Sequence, residues 1–174
     1  MAELRSGALA YEHAADEAFD AVRIGHLLDV IGTSASTVAP LRLLDAGCGT
    51  GWLTRALTRC GHLVEGIDSS ELKTWAPSYL YDHVVAVDVL VHLTDDDVWR
   101  DSVVNLAALV RLGGLLVLTD HDAEAHHQWG DGQVTRSRQG YLDLLLPLGF
   151  SYNGFHPFRF RDSAAGFHVF RRIA

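Results

Sequence analysis

Three glycines within five residues, Gly47, Gly49 and Gly51, follow directly on the short apolar run from Leu41 to Asp45. Glycine lets a chain turn sharply and lets its backbone come close to a ligand. A helix opened by such a loop presents unpaired N–H groups to whatever lies there. Helical spacing follows from Trp52 to Cys60 through Leu53, Ala56 and Leu57, and Gly61 ends it. His62 to Asp68 reads as a second strand, with Asp68 17 residues beyond Gly51. A carboxylate at that strand end can accept hydrogen bonds from both hydroxyls of a ribose. Together these form a βαβ mononucleotide-binding unit, which points to a nucleoside-type ligand. The dinucleotide fingerprint of dehydrogenases needs G-x-G-x-x-G, and here the third glycine falls one place early.

A second group that could do chemistry is rich in histidine. His121, His126 and His127 stand among Asp120, Asp122 and Glu124 after a strand, and His92 lies just past Asp88. Ligands bind at the carboxyl edge of such sheets, so an imidazole there suits general-base work near neutral pH. The competing reading is four solvated or hydrogen-bonded loop histidines. His121 and His126 are five apart, not the i, i+4 of a helical metal pair, and no metal site is expected. Cys48, in the glycine loop, and Cys60, at a helix end, read as small packing residues.

These residues need a frame. Glu12 to Ile31 reads as an amphipathic helix closed by Gly32, followed by a loop from Thr33 to Pro40. His83 to Asp88 reads as a buried strand, with Thr94 as the cap of a helix carrying Trp99, Val103, Leu106 and Val110. Gly113-Gly114 turns into a strand over Leu115–Thr119, and a polar loop runs from Asp120 to about Gln133. Tyr141 to Leu146 looks helical. Phe150–Phe155 and Phe167–Phe170 pair as antiparallel strands around a turn at Asp162 and Gly166. The expected fold is α/β, doubly wound in three layers and Rossmann-like. Its sheet is mostly parallel, of about six strands, and ends in a C-terminal antiparallel hairpin. One domain over residues 1–174 is expected, with 1–38 a helical cap and 39–174 a ligand-binding core.

Composition agrees with a globular protein one ordinary domain long. The 174 residues are 48% hydrophobic, with 16 Gly, 4 Pro and 2 Cys. A chain of this length can remove roughly 70% of its unfolded surface from water without disulfide staples. The formal charge of −8, from 14 Lys+Arg and 22 Asp+Glu, disfavours nucleic acid as a partner. No apolar run approaches a membrane span, and Met1 to Gly7 lacks a signal peptide's basic head, so a cytoplasmic protein acting on a small molecule is expected.

Asp45-Ala-Gly-Cys-Gly-Thr-Gly51 resembles the first motif of class I S-adenosylmethionine-dependent methyltransferases, and Val64-Glu-Gly-Ile-Asp68-Ser-Ser resembles the segment after it. The stretches Asp82–Leu93, Leu109–Thr119, Leu148–Phe150 and Phe167–Arg171 are similar to later strands of that family, so the likeness covers about residues 41–172. The resemblance implies S-adenosyl-L-methionine as cofactor. Gly47, Cys48, Gly49 and Gly51 would run alongside its methionine part, and Asp68, with Ser69 beside it, would hold the ribose. Asp45 would orient the loop and the cofactor's amino group, directly or through water. Asp88 would border the cofactor and the methyl acceptor, and Tyr11 would stand near the cofactor carboxylate. Methyl transfer from a sulfonium is an in-line displacement, so positioning supplies much of the acceleration. His92, His121, His126 and His127 are then the candidate bases for an O- or N-acceptor.

One departure stands out. Family members usually carry a helix, a third strand and an acidic adenine-contacting motif after the second strand, whereas only 13 residues separate Asp68 from Asp82. The loss should leave a six-stranded sheet with the second strand at its edge. Trp75, Tyr79 and Tyr81 would either stack on the purine or cover that edge. The shortened adenine side also keeps open a cofactor-binding domain that transfers no methyl group.

Overall fold

The structure, a computed structural model, describes residues 17–32, 39–161 and 163–174. Helix α1 spans residues 17–30. It is followed by β1 (Arg42–Ala46), α2 (Trp52–Arg59), β2 (Leu63–Ile67) and β3 (Tyr81–Ala86), and then by α3 (Asp96–Ala108) and β4 (Val110–His121). A small hairpin, β5 (His127–Trp129) and β6 (Gln133–Thr135), precedes α4 (Arg138–Leu145), β7 (Phe150–Pro157) and β8 (Ala165–Arg172). The main sheet runs β2-β1-β3-β4-β8-β7. Its first four strands are parallel, and β8 and β7 join antiparallel. The expected mixed six-stranded sheet is present, and β2 is its edge.

Side-chain alternation along the central strands builds two cores, as it must when a parallel sheet is covered on both faces. Leu43, Val85, Leu115 and Val117 face Leu27 and Ile31 near the end of α1, and Leu53 and Leu57 of α2. Their neighbours Leu44, Val84, Leu116 and Leu118 face Trp99, Val103 and Leu106 of α3, and Tyr141 and Leu145 of α4. Three layers result, and the carboxyl ends of β1–β4 open on one rim.

Several local expectations are corrected. The cap of α3 is Asp95 rather than Thr94: its carboxylate accepts from the N–H groups of Asp97 and Val98, both at 2.9 Å. Two N–H bonds to one carboxylate are a stronger stop than a single hydroxyl supplies. The stretch read as a polar loop after β4 contains the β5–β6 hairpin. Strand β4 is longer than expected, because the chain already pairs with β3 at Val110, before the glycines. Helix α4 starts earlier, at Arg138, with the Ser137 hydroxyl accepting from the Gly140 N–H. Gly166 lies inside β8 instead of in the turn, and Asp162 is outside the described residues.

Trp75, Tyr79 and Tyr81 gather beside the edge strand. The Tyr81 and Tyr79 hydroxyls both donate to the Glu65 carboxylate on β2, and the Trp75 indole donates to the Tyr81 oxygen at 3.1 Å. Tyr81 is fully buried and offers no face to a purine. Burial, then its bond to Glu65, pushes its phenol well above the usual range. The Arg42 guanidinium lies over the Tyr79 ring at 4.4 Å. These aromatics close the side that the shortened segment would leave open.

Candidate active site

The glycine loop joins β1 to α2, and all three of its glycines have positive φ: 79° at Gly47, 50° at Gly49 and 76° at Gly51. Gly47 is the tightest of them. A Cβ there would stand 2.4 Å from Val89 Cγ2 and 2.5 Å from Val89 Cβ, whereas one on Gly49 would meet nothing within 4 Å. The loop is thus pressed against the chain after β3 at one glycine and open to a ligand at the next. Cys48 lies in the loop with its thiol pushed up, first by burial and then by the charge of Asp45. That is the opposite of an activated nucleophile.

Asp45, 2% exposed at the end of β1, accepts the Thr54 hydroxyl at 2.6 Å and so ties the strand to α2. Burial raises its pKa, and the Thr54 bonds partly offset the rise. Asp68 stands exposed just past β2. It accepts the Ser70 N–H at 3.0 Å and the Ser69 hydroxyl at 3.4 Å, while the Glu71 carboxylate accepts its own N–H at 3.1 Å. The Ser70 amide holds the Asp68 carboxyl below the usual range, so an ionised acceptor faces outward here.

Asp88, just past β3, has φ 54°, a left-handed conformation uncommon outside glycine. Its carboxylate pairs with Arg23 of α1, which also pairs with Asp20. The Arg23 guanidinium lies 4.8 Å from the Trp52 ring and 4.5 Å from the Phe19 ring. It therefore spans from α1 to the mouth of the glycine loop. Arg23 carried no signal in the sequence, since its partner Asp88 is 65 residues away. Tyr11 lies outside the described residues.

Beside Asp88 opens a cleft of about 450 Å³, lined by His92, Thr119, His121, Trp129, Gln133 and Thr135 among others. Its outer wall is the β5–β6 hairpin, whose root is fixed by two buried side chains. Asp120 accepts the Tyr141 hydroxyl at 2.8 Å, the His121 N–H at 2.8 Å and the Arg136 N–H at 3.1 Å. The Arg136 guanidinium, 1% exposed, donates to the Leu93 carbonyl at 3.0 Å and pairs with Asp96 at 2.8 Å. Under the rim, His168 bonds the His121 carbonyl through Nε2 at 3.1 Å and the Tyr152 hydroxyl through Nδ1 at 3.0 Å. Burial lowers the His168 pKa, which favours the neutral ring these two partners suit.

The four candidate histidines separate. His92 and His121 share the cleft with Asp88. His127 is on β5, exposed, its ring 4.2 Å from that of Trp129. His126 turns to another cleft, of about 310 Å³, with Asp96, Trp99 and Arg136, and its Nδ1 accepts the Ser137 N–H at 3.3 Å. Among the described residues no group of three or more His, Cys, Asp or Glu is placed to hold a metal ion, and no helix is long and apolar enough to cross a membrane.

A glycine loop, a strand-end acid and an adjoining cleft on one rim invite comparison with known proteins. The family described as a methyltransferase domain matches residues 15–159. The chain belongs to the class I S-adenosylmethionine-dependent methyltransferase family. A ubiquinone biosynthesis O-methyltransferase of Rhodopseudomonas palustris (strain HaA2) is 31% identical over 139 residues, covering 67% of this chain and 52% of that protein. The chain thus spans about half the length of the curated relatives it matches. Among solved structures, the 1,6-didemethyltoxoflavin-N1-methyltransferase of Burkholderia thailandensis superposes with a TM-score of 0.67 at 16% identity, covering 98% of this chain and 88% of that one. The N-methyltransferase NodS of Bradyrhizobium japonicum WM9 gives 0.66 at 19% identity, over 91% and 99%. At such identities the likeness to these methyltransferases is one of fold.

Proposed function

We propose that this chain is an S-adenosylmethionine-dependent methyltransferase acting on a small-molecule acceptor. The observation that carries the proposal is the shared rim: the glycine loop and Asp68 on one side of Asp88, and a cleft with two imidazoles on the other. The residues suit the cofactor. Gly49 leaves room where a side chain would intrude, and Asp68, with the Ser69 hydroxyl donating to it, offers an ionised acceptor for the ribose hydroxyls. Gly47, Cys48 and Gly51 shape the strip for the methionine part, and Asp45 holds that strip to α2. When bound, S-adenosylmethionine supplies an electrophilic methyl group on a sulfonium.

The remaining work falls to side chains. Arg23, held by Asp88 at the loop's mouth, offers a cation to the cofactor carboxylate. His92 or His121 takes the proton from an acceptor hydroxyl or amine at a ring nitrogen, and Asp88 keeps the acceptor next to the cofactor strip. The hairpin walls one side of the cleft. His126 and His127, turned elsewhere, serve the hairpin's structure rather than the proton transfer.

The test is release of S-adenosylhomocysteine from S-adenosylmethionine across a panel of small hydroxylated and amino acceptors. Turnover that falls by about 10²–10⁴ in either His92→Asn or His121→Asn identifies the base. No product with any acceptor class, despite cofactor binding, would favour the domain that binds without transferring. The closure of the adenine side by Tyr81 and Trp75 instead of a third strand is the feature behind that second reading.

A further inference from the structure

We infer that Glu71 is a positioning residue for the cofactor. By accepting the Asp68 N–H it fixes the Asp68 carboxylate, with one oxygen committed to the chain and the other left for the ribose hydroxyls. This rests on reading the rim of the glycine loop and Asp68 as the S-adenosylmethionine site, and it says what holds that acid where a third strand is missing.

Behind Asp68 the chain is clamped to the glycine loop. The Ile67 carbonyl, at the end of β2, accepts the N–H groups of Gly47 at 2.9 Å and Cys48 at 3.0 Å. Ahead of Asp68, the connection to β3 contains a single 3₁₀ turn, Ser69–Glu71. One turn is marginal by itself, because nucleation fixes several dihedrals for one backbone bond. Here a reciprocal pair of side-chain bonds closes it. Glu71 Oε2 accepts the Asp68 N–H at 3.1 Å, and Asp68 Oδ1 accepts the Ser70 N–H at 3.0 Å.

The Ser69 hydroxyl donates to the same Oδ1 at 3.4 Å, so Oδ2 is the oxygen of Asp68 with no hydrogen bond among the described residues. The bond to Glu71 restricts the Asp68 backbone, and the bonds to Oδ1 restrict its side chain. An exposed carboxylate is thus ordered before a ligand arrives, which removes a cost otherwise met on binding. The Cys48 thiol, pushed up by burial and by Asp45, is raised further by the charges of Asp68 and Glu71, which sets both carboxylates beside the glycine loop.

The connection does not depend on Glu71 for its place in the fold. Leu72 is fully buried, and Asn105 of α3 donates through Nδ2 to the Leu72 carbonyl at 2.9 Å and the Trp75 carbonyl at 3.0 Å. Loss of the Glu71 carboxylate therefore loosens Asp68 and leaves the path to β3 anchored.

The test is calorimetric titration of S-adenosylhomocysteine, and of its 2′,3′-dideoxy analogue, which lacks the ribose hydroxyls. Glu71→Ala should weaken S-adenosylhomocysteine about three- to tenfold. Glu71→Gln, whose amide oxygen still accepts the Asp68 N–H, should recover most of that factor. In an Asp68→Ala background Glu71→Ala should cost less than about twofold, because no carboxylate is left to position. The dideoxy analogue should be equally indifferent to Glu71→Ala. Undiminished binding of S-adenosylhomocysteine in Glu71→Ala would overturn the inference. So would equal losses in Glu71→Gln and Glu71→Ala, or the same loss with and without Asp68, which would mark a general effect on the fold. Binding that weakens in Asp68→Ala but not in Glu71→Ala would remove the role of Glu71 and leave the cofactor site standing. No binding by the parent at millimolar concentration would remove both.

Discussion

Replacing Gly47 by alanine perturbs the glycine loop at the point where the structure gives it least freedom. Two costs are separable. A residue with a Cβ held at φ 79° loses about 1–2 kcal/mol to its own backbone. The new methyl would also stand 2.4–2.5 Å from Val89. Val89 is a β-branched side chain with no flexible end to move, and it is only 6% exposed. Overpacking of that kind costs about 1–3 kcal/mol. The expected loss for Gly47→Ala is therefore about 2–5 kcal/mol, which a domain of ordinary stability survives in part. With a urea m-value of about 2 kcal/mol/M, the unfolding midpoint should fall by about 1–2.5 M. The double variant Gly47→Ala/Val89→Gly removes the overlap, which involves Val89 Cβ as well as its methyls, and leaves the backbone cost, so the two substitutions should couple favourably by about 1–3 kcal/mol. A Gly47→Ala protein within about 0.5 kcal/mol of the parent, or a Val89→Gly change that recovers nothing, would refute the steric reasoning.

Other expectations follow from the same geometry. His83 is buried in β3, its Nδ1 accepting the Leu115 N–H at 3.0 Å, and burial lowers its pKa from 6.5 to about 4. The unfolded chain takes up that proton first as the pH falls, so the stability is fully present above pH 6.5 and lost between there and pH 4, about 3 kcal/mol at most. Urea midpoints measured across that range should fall less steeply in His83→Gln, and identical slopes would contradict the assignment. Arg23→Ala should weaken S-adenosylhomocysteine binding about 10- to 100-fold by calorimetry, the scale of hydrogen bonds to a charged group. An unchanged affinity would confine Arg23 to pairing with Asp88.

The places of the glycine loop after β1 and of Asp68 after β2, and the edge position of β2, were legible because each rests on local residue types or on a count. Thirteen residues between Asp68 and Asp82 are too few for a further helix and strand, and β2 is indeed the edge. The β5–β6 hairpin was not legible. Its strands have three residues each, and His127, Gln128 and Trp129 are all exposed, so no period of two marks them. What holds the hairpin is tertiary: buried Asp120 and Arg136 reach Tyr141, Leu93 and Asp96. The same holds for the site. Asp88 was found from its place at a strand end, but Arg23 was not, because the pairing that defines it joins residues far apart in the chain. The four histidines could not be ranked from spacing. The two that share the cleft were separated from the other two by the path of a hairpin that the sequence does not announce.

The central claim is that the rim formed by the glycine loop and Asp68 holds a nucleoside-type methyl donor despite the missing third strand. Calorimetric titration of S-adenosylhomocysteine tests it most directly. The expected result is saturable one-to-one binding that weakens about 10- to 100-fold in Asp68→Ala, where two charge-assisted hydrogen bonds to the ribose are lost. No binding at millimolar concentration, or binding indifferent to Asp68, would contradict it.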